Sequence, residues 1–259
     1  MPLPKPNGDF EWVQESWGTA LRCAPLAHVA RHVFTTRDLV LEEGDVAPTG
    51  WVALARAVGG TADALVRMRQ VHCAGVFVAE RPAVIAAKVV SPEADIAVSV
   101  DPEVVLTVKV ADCVPVLLAD RQSGAVAAVH AGWRGTAAGA VHAAVEGLEA
   151  RYGTRPRDLV AAVGPSIGPC CYEVGSTMRD DFASHPRADV WFSARPTPHL
   201  DLWTATRDQL ELAGMDGEHI HVCRLCTFDH PALFHSYRRD GTRAGRLVAA
   251  IRSLRGRTP

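Results

Sequence analysis

Two apolar runs separated by a short polar stretch constrain this chain more than any other feature. Val104 to Leu118 reads as one strand and contains the start of Ala111-Asp112-Cys113-Val114-Pro115-Val116-Leu117-Leu118-Ala119-Asp120; Ala125 to His130 reads as the next. Arg121-Gln122-Ser123-Gly124 between them suits a hairpin turn. If Asp120 pairs with Ala125, His130 falls opposite Pro115 and Cys113 lies two residues further along. Side chains alternate with period two, so Cys113 and His130 then share a face. They become diagonal neighbours, about 7–8 Å apart at the backbone. That separation suits two ligands of one ion, with Zn–S and Zn–N bonds of about 2.3 and 2.0 Å. A three-residue turn would put them on opposite faces instead.

Taken singly, a free cysteine is an ordinary buried residue and a histidine an ordinary hydrogen-bonded one. The residues after His130 argue for more. Gly132 and Gly135 allow close backbone approach, Arg134 offers a cation, and a helix starting near Thr136 presents N–H groups to an anion. Two histidines and one thiolate would leave a fourth tetrahedral position open, as in catalytic zinc sites. His72 in Arg69-Gln70-Val71-His72 is a candidate third ligand, and spacing alone does not select it over His28 or His32. Without a metal, the same Cys113 and His130 would be a nucleophile and its base, as in a thiol hydrolase or acyltransferase.

Around this centre the chain mixes strand and helix without a regular βαβ rhythm, which favours an α+β fold. Residues 1–20, with three early prolines, read as an irregular lead-in that packs through Trp12 and Trp17. The pattern predicts strands at His32–Arg37, Ala94–Val100, Val160–Val163 and His219–Leu225, and helices at Trp51–Val58, Thr136–Arg151 and Trp203–Leu212. A last helix is expected from about Arg246.

The 259 residues suffice for a substantial core in a single domain, and a formal charge of −2 gives no electrostatic case for nucleic acid or an anionic membrane. No apolar run reaches a membrane span, and no secretory signal is visible at the start. With irregular spacing and an odd count, the 7 cysteines read as thiols or metal ligands in a cytoplasmic protein rather than as a disulfide framework.

Several motifs together resemble one family. Gln70-Val71-His72, the Ala111–Asp120 string and Val129-His130-Ala131-Gly132-Trp133-Arg134-Gly135-Thr136 are similar to the laccase-domain purine nucleoside phosphorylases, also labelled multicopper polyphenol oxidase and peptidoglycan editing factor. The likeness continues through Gly164 to Gly175 (GPSIGPCCYEVG), Cys226-Thr227, Ser236-Tyr237-Arg238-Arg239 and Ala244-Gly245-Arg246. Two motifs depart from the family pattern: Phe34-Thr35-Thr36-Arg37 is followed by Asp38-Leu39-Val40 in place of two glycines, and Ala244 stands where threonine is usual.

The resemblance implies a single α+β domain layered α/β/β/α, with mixed, largely antiparallel sheets. It implies a metal held by His72, Cys113 and His130: zinc, with copper the alternative. It further implies phosphorolysis of adenosine, inosine and methylthioadenosine, with adenosine deaminase activity alongside, by a monomer or small homo-oligomer. Arg37, Arg134 and Arg238 are the expected phosphate or substrate contacts, with Glu173 or Asp112 for proton transfer; on a regular strand Asp112 would point away from Cys113 and serve structurally. An editing role on wall precursors is the non-enzymatic alternative. Multicopper oxidation fits less well, because a trinuclear cluster draws on several His-x-His pairs and the chain has one, His219 and His221.

Overall fold

The computed structural model describes residues 2–41, 49–81, 91–193 and 196–255. In chain order its strands are β1 (Phe10–Glu15), β2 (Gly18–Cys23), β3 (Ala30–Thr35), β4 (Leu65–Val66), β5 (Val76–Val78), β6 (Ile96–Ser99), β7 (Val105–Val110), β8 (Val114–Asp120), β9 (Val126–Ala131), β10 (Leu159–Val163), β11 (Ile220–Val222) and β12 (Leu247–Ser253). They form two mixed sheets, ordered β1-β2-β3-β12-β7-β4 and β11-β10-β8-β9-β6-β5. Among the pairings of these described strands, β4/β7, β5/β6 and β10/β11 are parallel and the others antiparallel.

The hairpin forms in the register that period-two alternation requires. Asp120 N–H donates to the Ala125 carbonyl at 2.8 Å, and Pro115 sits opposite His130. Both strands are buried on both faces, which is why they read as continuous apolar runs rather than alternating ones. Leu117, Ala119, Val126 and Ala128 face the other sheet, while Val116, Leu118, Ala127 and Val129 face the helices Ala140–Tyr152 and Leu202–Leu212. A third apolar layer joins helix Thr49–Ala57 to the far side of the first sheet through Leu54, Val33, Val105, Val248 and Ala250. The layers are therefore α/β/β/α, an α+β fold. Among the described residues no helix is long and apolar enough to cross a membrane.

Four expectations change. The run Val104–Leu118 is two strands in different sheets, β7 and β8, and the chain crosses between them at Ala111–Cys113, where Asp112 adopts φ 85°. The tail is a strand, β12, at the centre of the first sheet between β3 and β7. Leu247, Ala249 and Ile251 enter the inter-sheet core and Val248 and Ala250 the opposite one. A strand buried on both faces shows no polar alternation to distinguish it from a helix. The lead-in is shorter than expected: β1 and β2 form a hairpin within and just beyond residues 1–20, and Trp12 stacks on Phe234 at 6.3 Å. Finally, the helix expected at Thr136–Arg151 is two helices, Trp133–Ala137 and Ala140–Tyr152, separated by Gly139 in a left-handed conformation (φ 74°).

Candidate active site

The sheet crossing places Cys113 just before β8, the hairpin places His130 in β9, and the loop between β4 and β5 brings in His72. Their ligand atoms all lie within 4.8 Å of one another. The two imidazole rings meet edge-on, with centroids 4.9 Å apart and planes at 72°. His28 and His32 lie elsewhere: His32 is buried, accepts the Cys23 N–H at 2.9 Å, and is pushed down to about 4 mainly by burial. Gly132 is required by space, because a Cβ there would stand 2.7 Å from Cys113 Sγ and 3.3 Å from His72 Cδ2.

One carboxylate orders the group. Asp95, fully buried, bonds His130 Nδ1 at 2.7 Å through one oxygen. Its other oxygen accepts the N–H groups of Val71 and Cys73 at 3.0 and 2.9 Å, gripping the loop on both sides of His72. His72 itself holds φ 62°, and with Asp112 it makes two of the three non-glycine residues at positive φ among those described. Such strain persists only where the surroundings over-determine it. At Asp112 they do: its carboxylate accepts from Thr227 Oγ1 (2.6 Å), Ser236 Oγ (3.0 Å) and Arg238 N (2.6 Å).

Burial disfavours charge at all three of Asp95, His130 and Cys113, and mutual hydrogen bonding reverses it. For Asp95 the His130 hydrogen bond and the two backbone donors hold the carboxyl well below its usual range. His130 is raised to about 9 by Asp95 and Cys113, and Cys113 is lowered to about 6 by His130 and then His72. Both directions favour a thiolate beside an imidazolium over the neutral pair when no metal is bound.

The three side chains line a cavity of about 720 Å³, in the size range of small-molecule sites. Arg69, Lys109, Arg134, Arg238 and Arg246 also line it, against Asp112 as its carboxylate. Arg134 lies over the Trp133 ring at 4.3 Å and Arg238 over Tyr172 at 5.0 Å. Arg37 is not in this group. It lines a second pocket with His235, Arg239 and Arg243, and its guanidinium donates to the Pro231 carbonyl. Glu173 is exposed outside the cavity and contributes a carbonyl that accepts from Arg238 at 2.7 Å. Thr136 offers no N–H to an anion, since it lies inside a five-residue helix and donates to the Gly132 carbonyl at 2.8 Å.

Sequence reasoning missed Asp95, Lys109, Tyr172 and Arg246 as site residues. Asp95 left a signal as an acidic residue near the start of an otherwise apolar strand, and Tyr172 and Arg246 lie in the Gly164–Gly175 and Ala244–Arg246 motifs; Lys109 left none.

A family model described as multi-copper polyphenol oxidoreductase laccase matches residues 33–253. A purine nucleoside phosphorylase of Bacteroides thetaiotaomicron is 37% identical over 161 residues, which cover 61% of this chain and 60% of that protein. One from Deinococcus radiodurans is 37% identical over 198 residues, covering 76% and 74%. The match therefore spans less than two thirds of the Bacteroides relative and about three quarters of the Deinococcus one. The crystal structure of YlmD from Geobacillus stearothermophilus is similar at a TM-score of 0.82 and 30% identity, covering 94% of this chain and 99% of that one.

Proposed function

The chain belongs to the multi-copper polyphenol oxidoreductase laccase family, and from that premise we propose that it is a zinc-dependent purine nucleoside phosphorylase acting on adenosine, inosine and methylthioadenosine, with adenosine deaminase activity at the same site. The observation that carries this reading is the meeting of His72, Cys113 and His130 on the wall of a cavity lined by five cations. Relatives named purine nucleoside phosphorylase support it.

Two imidazoles and a thiol fit zinc and leave a fourth position for water or substrate. Copper also accepts two His and one Cys, but oxidase chemistry needs further copper sites. His221, half of the single His-x-His pair, bonds Asp9 at 2.9 Å instead. When bound, zinc would supply a Lewis acid that draws charge from the substrate.

The residues of the chain do the positioning. Arg134, Arg238 and Arg246 bind the phosphate, and charge-assisted hydrogen bonds hold it against the sugar. A phosphate oxygen forms the bond to C1′ as the C1′–N9 bond breaks, and the electron pair leaves with the purine. Tyr172 and Trp133 wall the site and offer ring faces beside the purine. Asp95 fixes the ring of His130. Asp112, already accepting three donors, holds the Arg238 backbone rather than moving a proton.

One specific observation favours a second reading. Asp95, His130 and Cys113 are also arranged as orienter, base and thiol, the constellation of a metal-free thiol hydrolase. His72 has no task in that chemistry. Assaying the three nucleosides with and without phosphate, on zinc-loaded and metal-stripped protein, separates the two. Ribose 1-phosphate is expected only with both phosphate and zinc, and inosine from adenosine only with zinc. Products unchanged on metal removal would refute the zinc dependence, and no ribose 1-phosphate under any of these conditions would leave the thiol hydrolase reading.

A further inference from the structure

A second set of metal-ligating side chains converges behind the cavity wall. The segment after β10 bridges to the segment after β11: Ser166 pairs with Cys226, Ser166 N–H donates to the Leu225 carbonyl at 3.3 Å, and Thr227 N–H donates to the Ser166 carbonyl at 3.0 Å. Cys226 is thereby set against the turn at residues 169–171, where the N–H groups of Cys171 and Tyr172 both donate to the Gly168 carbonyl at 3.0 Å.

Adjacent side chains diverge on a strand, but in this turn Cys170 Sγ and Cys171 Sγ lie 3.4 Å apart. One Asp229 oxygen is 3.3 Å from Cys170 Sγ and the other 3.1 Å from Cys171 Sγ. With Cys226 included, the four ligand atoms all lie within 4.8 Å of one another. A tetrahedral zinc ion with Zn–S bonds of about 2.3 Å spaces its sulfurs about 3.8 Å apart, within that range. Gly168 N–H donates to Cys226 Sγ at 3.3 Å, an outer hydrogen bond of the kind that orients a thiolate ligand. Without an ion the Cys170 and Cys171 thiols donate to the two Asp229 oxygens, and a cation at their centre would take the place of those two protons.

We propose that Cys170, Cys171, Cys226 and Asp229 form a structural zinc site, separate from the candidate active site. Four protein ligands complete the tetrahedron and leave no position for substrate. Cys170 is exposed and Cys171 half-buried, so the ion enters from solvent. Its effect is on the cavity wall. The clamped segment carries Ile167 and Tyr172 into the cavity, and the Glu173 carbonyl next to them holds Arg238 at 2.7 Å. Arg239 pins the opposing segment through the carbonyls of Thr227 and Phe228, both at 3.0 Å.

The test is titration of the reduced, metal-stripped full chain with zinc, and with cobalt(II) as a spectroscopic substitute. Wild type should bind two equivalents, and Cys170→Ser/Cys171→Ser and Cys113→Ser one each. In Cys113→Ser the cobalt protein should keep the strong thiolate charge-transfer absorption of a several-sulfur site; in the double variant only that of a single sulfur should remain. Asp229→Asn, which keeps every cysteine, should weaken the second equivalent at least about tenfold and remove its contribution to the zinc-induced rise in Tm. Equal stoichiometry in wild type and the double variant overturns the proposal. So does a Cys113→Ser protein without cobalt–thiolate absorption, or thiol counting that shows a Cys170–Cys171 disulfide in the protein as purified.

Discussion

The His72–Cys113–His130 group and the Cys170–Cys171–Cys226–Asp229 group use overlapping side-chain chemistry on different supports. The first hangs from a strand and a sheet crossing, with a buried carboxylate behind it. The second is gathered by two irregular segments. Their thiols differ accordingly. Cys113, against two imidazoles, is lowered to about 6 in spite of burial, whereas Cys170, exposed as a residue, is pushed up to about 12 by partial desolvation of its thiol and by the Asp229 carboxylate, and Cys171 is raised as well. A cysteine among imidazoles is ionised before any ion arrives; one facing a carboxylate needs a cation to ionise. The first arrangement is suited to chemistry and the second to holding structure.

The strongest test of that contrast is removal of one sulfur from each side. Cys113→Ser is expected to cost about 10²–10³-fold in kcat/KM for inosine with phosphate, the scale of losing a group that stabilises charge in the transition state. Cys170→Ser should keep turnover within about tenfold of wild type, since its sulfur does not line the cavity. A Cys113→Ser enzyme that retains both zinc equivalents and full turnover removes that sulfur from the site.

Next comes Asp95→Asn, which keeps shape and removes the charge behind His130. Zinc affinity at the candidate active site should fall about 10–100-fold in a competition titration. An unchanged affinity would mean that packing alone holds the ring. Arg238→Ala should raise KM for phosphate about tenfold, a loss of about 1.4 kcal/mol, with little change in KM for the nucleoside. If phosphate KM is unmoved, the anion lies nearer Arg134 and Arg246.

The smallest effect on turnover, and the most direct reading of the two thiol environments, is alkylation of metal-stripped protein against pH. Cys113 has its pKa below the ordinary 9.0, so its thiolate fills as pH rises through about 6, and its labelling rate should level off above that. Labelling of Cys170 should still be climbing at pH 9. Peptide mass mapping separates the two, and matching profiles would erase the contrast.

Much of the candidate site was legible because the hairpin is local. Arg121 to Gly124 suited a turn, period-two alternation tied the faces to its length, and the pairing of Asp120 with Ala125 that sets His130 opposite Pro115 is the one that forms. Asp112 was expected to serve structurally, and its three donors agree, although the reason differs: the strand is not regular there but breaks between sheets. Arg37 and Glu173 belong to motifs close to the site in sequence, yet motif membership says nothing about which way a side chain leaves the backbone, and both point away from the cavity. The Cys170–Cys171 pair illustrates the same limit. The rule that neighbours diverge holds for an extended chain and fails in a turn.

By itself the sequence pointed to the α+β class, to the hairpin, and to the one register in which a cysteine and histidine share a face, because each depends on residues close together along the chain; the structure selected that register. Spacing did not select His72, which entered through the motif resemblance and which the structure sets beside the pair; the tertiary structure alone decided that Asp95 stands behind His130, that the tail is a central strand and that Cys226 meets Cys170. These depend on partners tens of residues away or more, and long-range contacts are set by how whole sheets stack and bury their faces. No local periodicity carries that information.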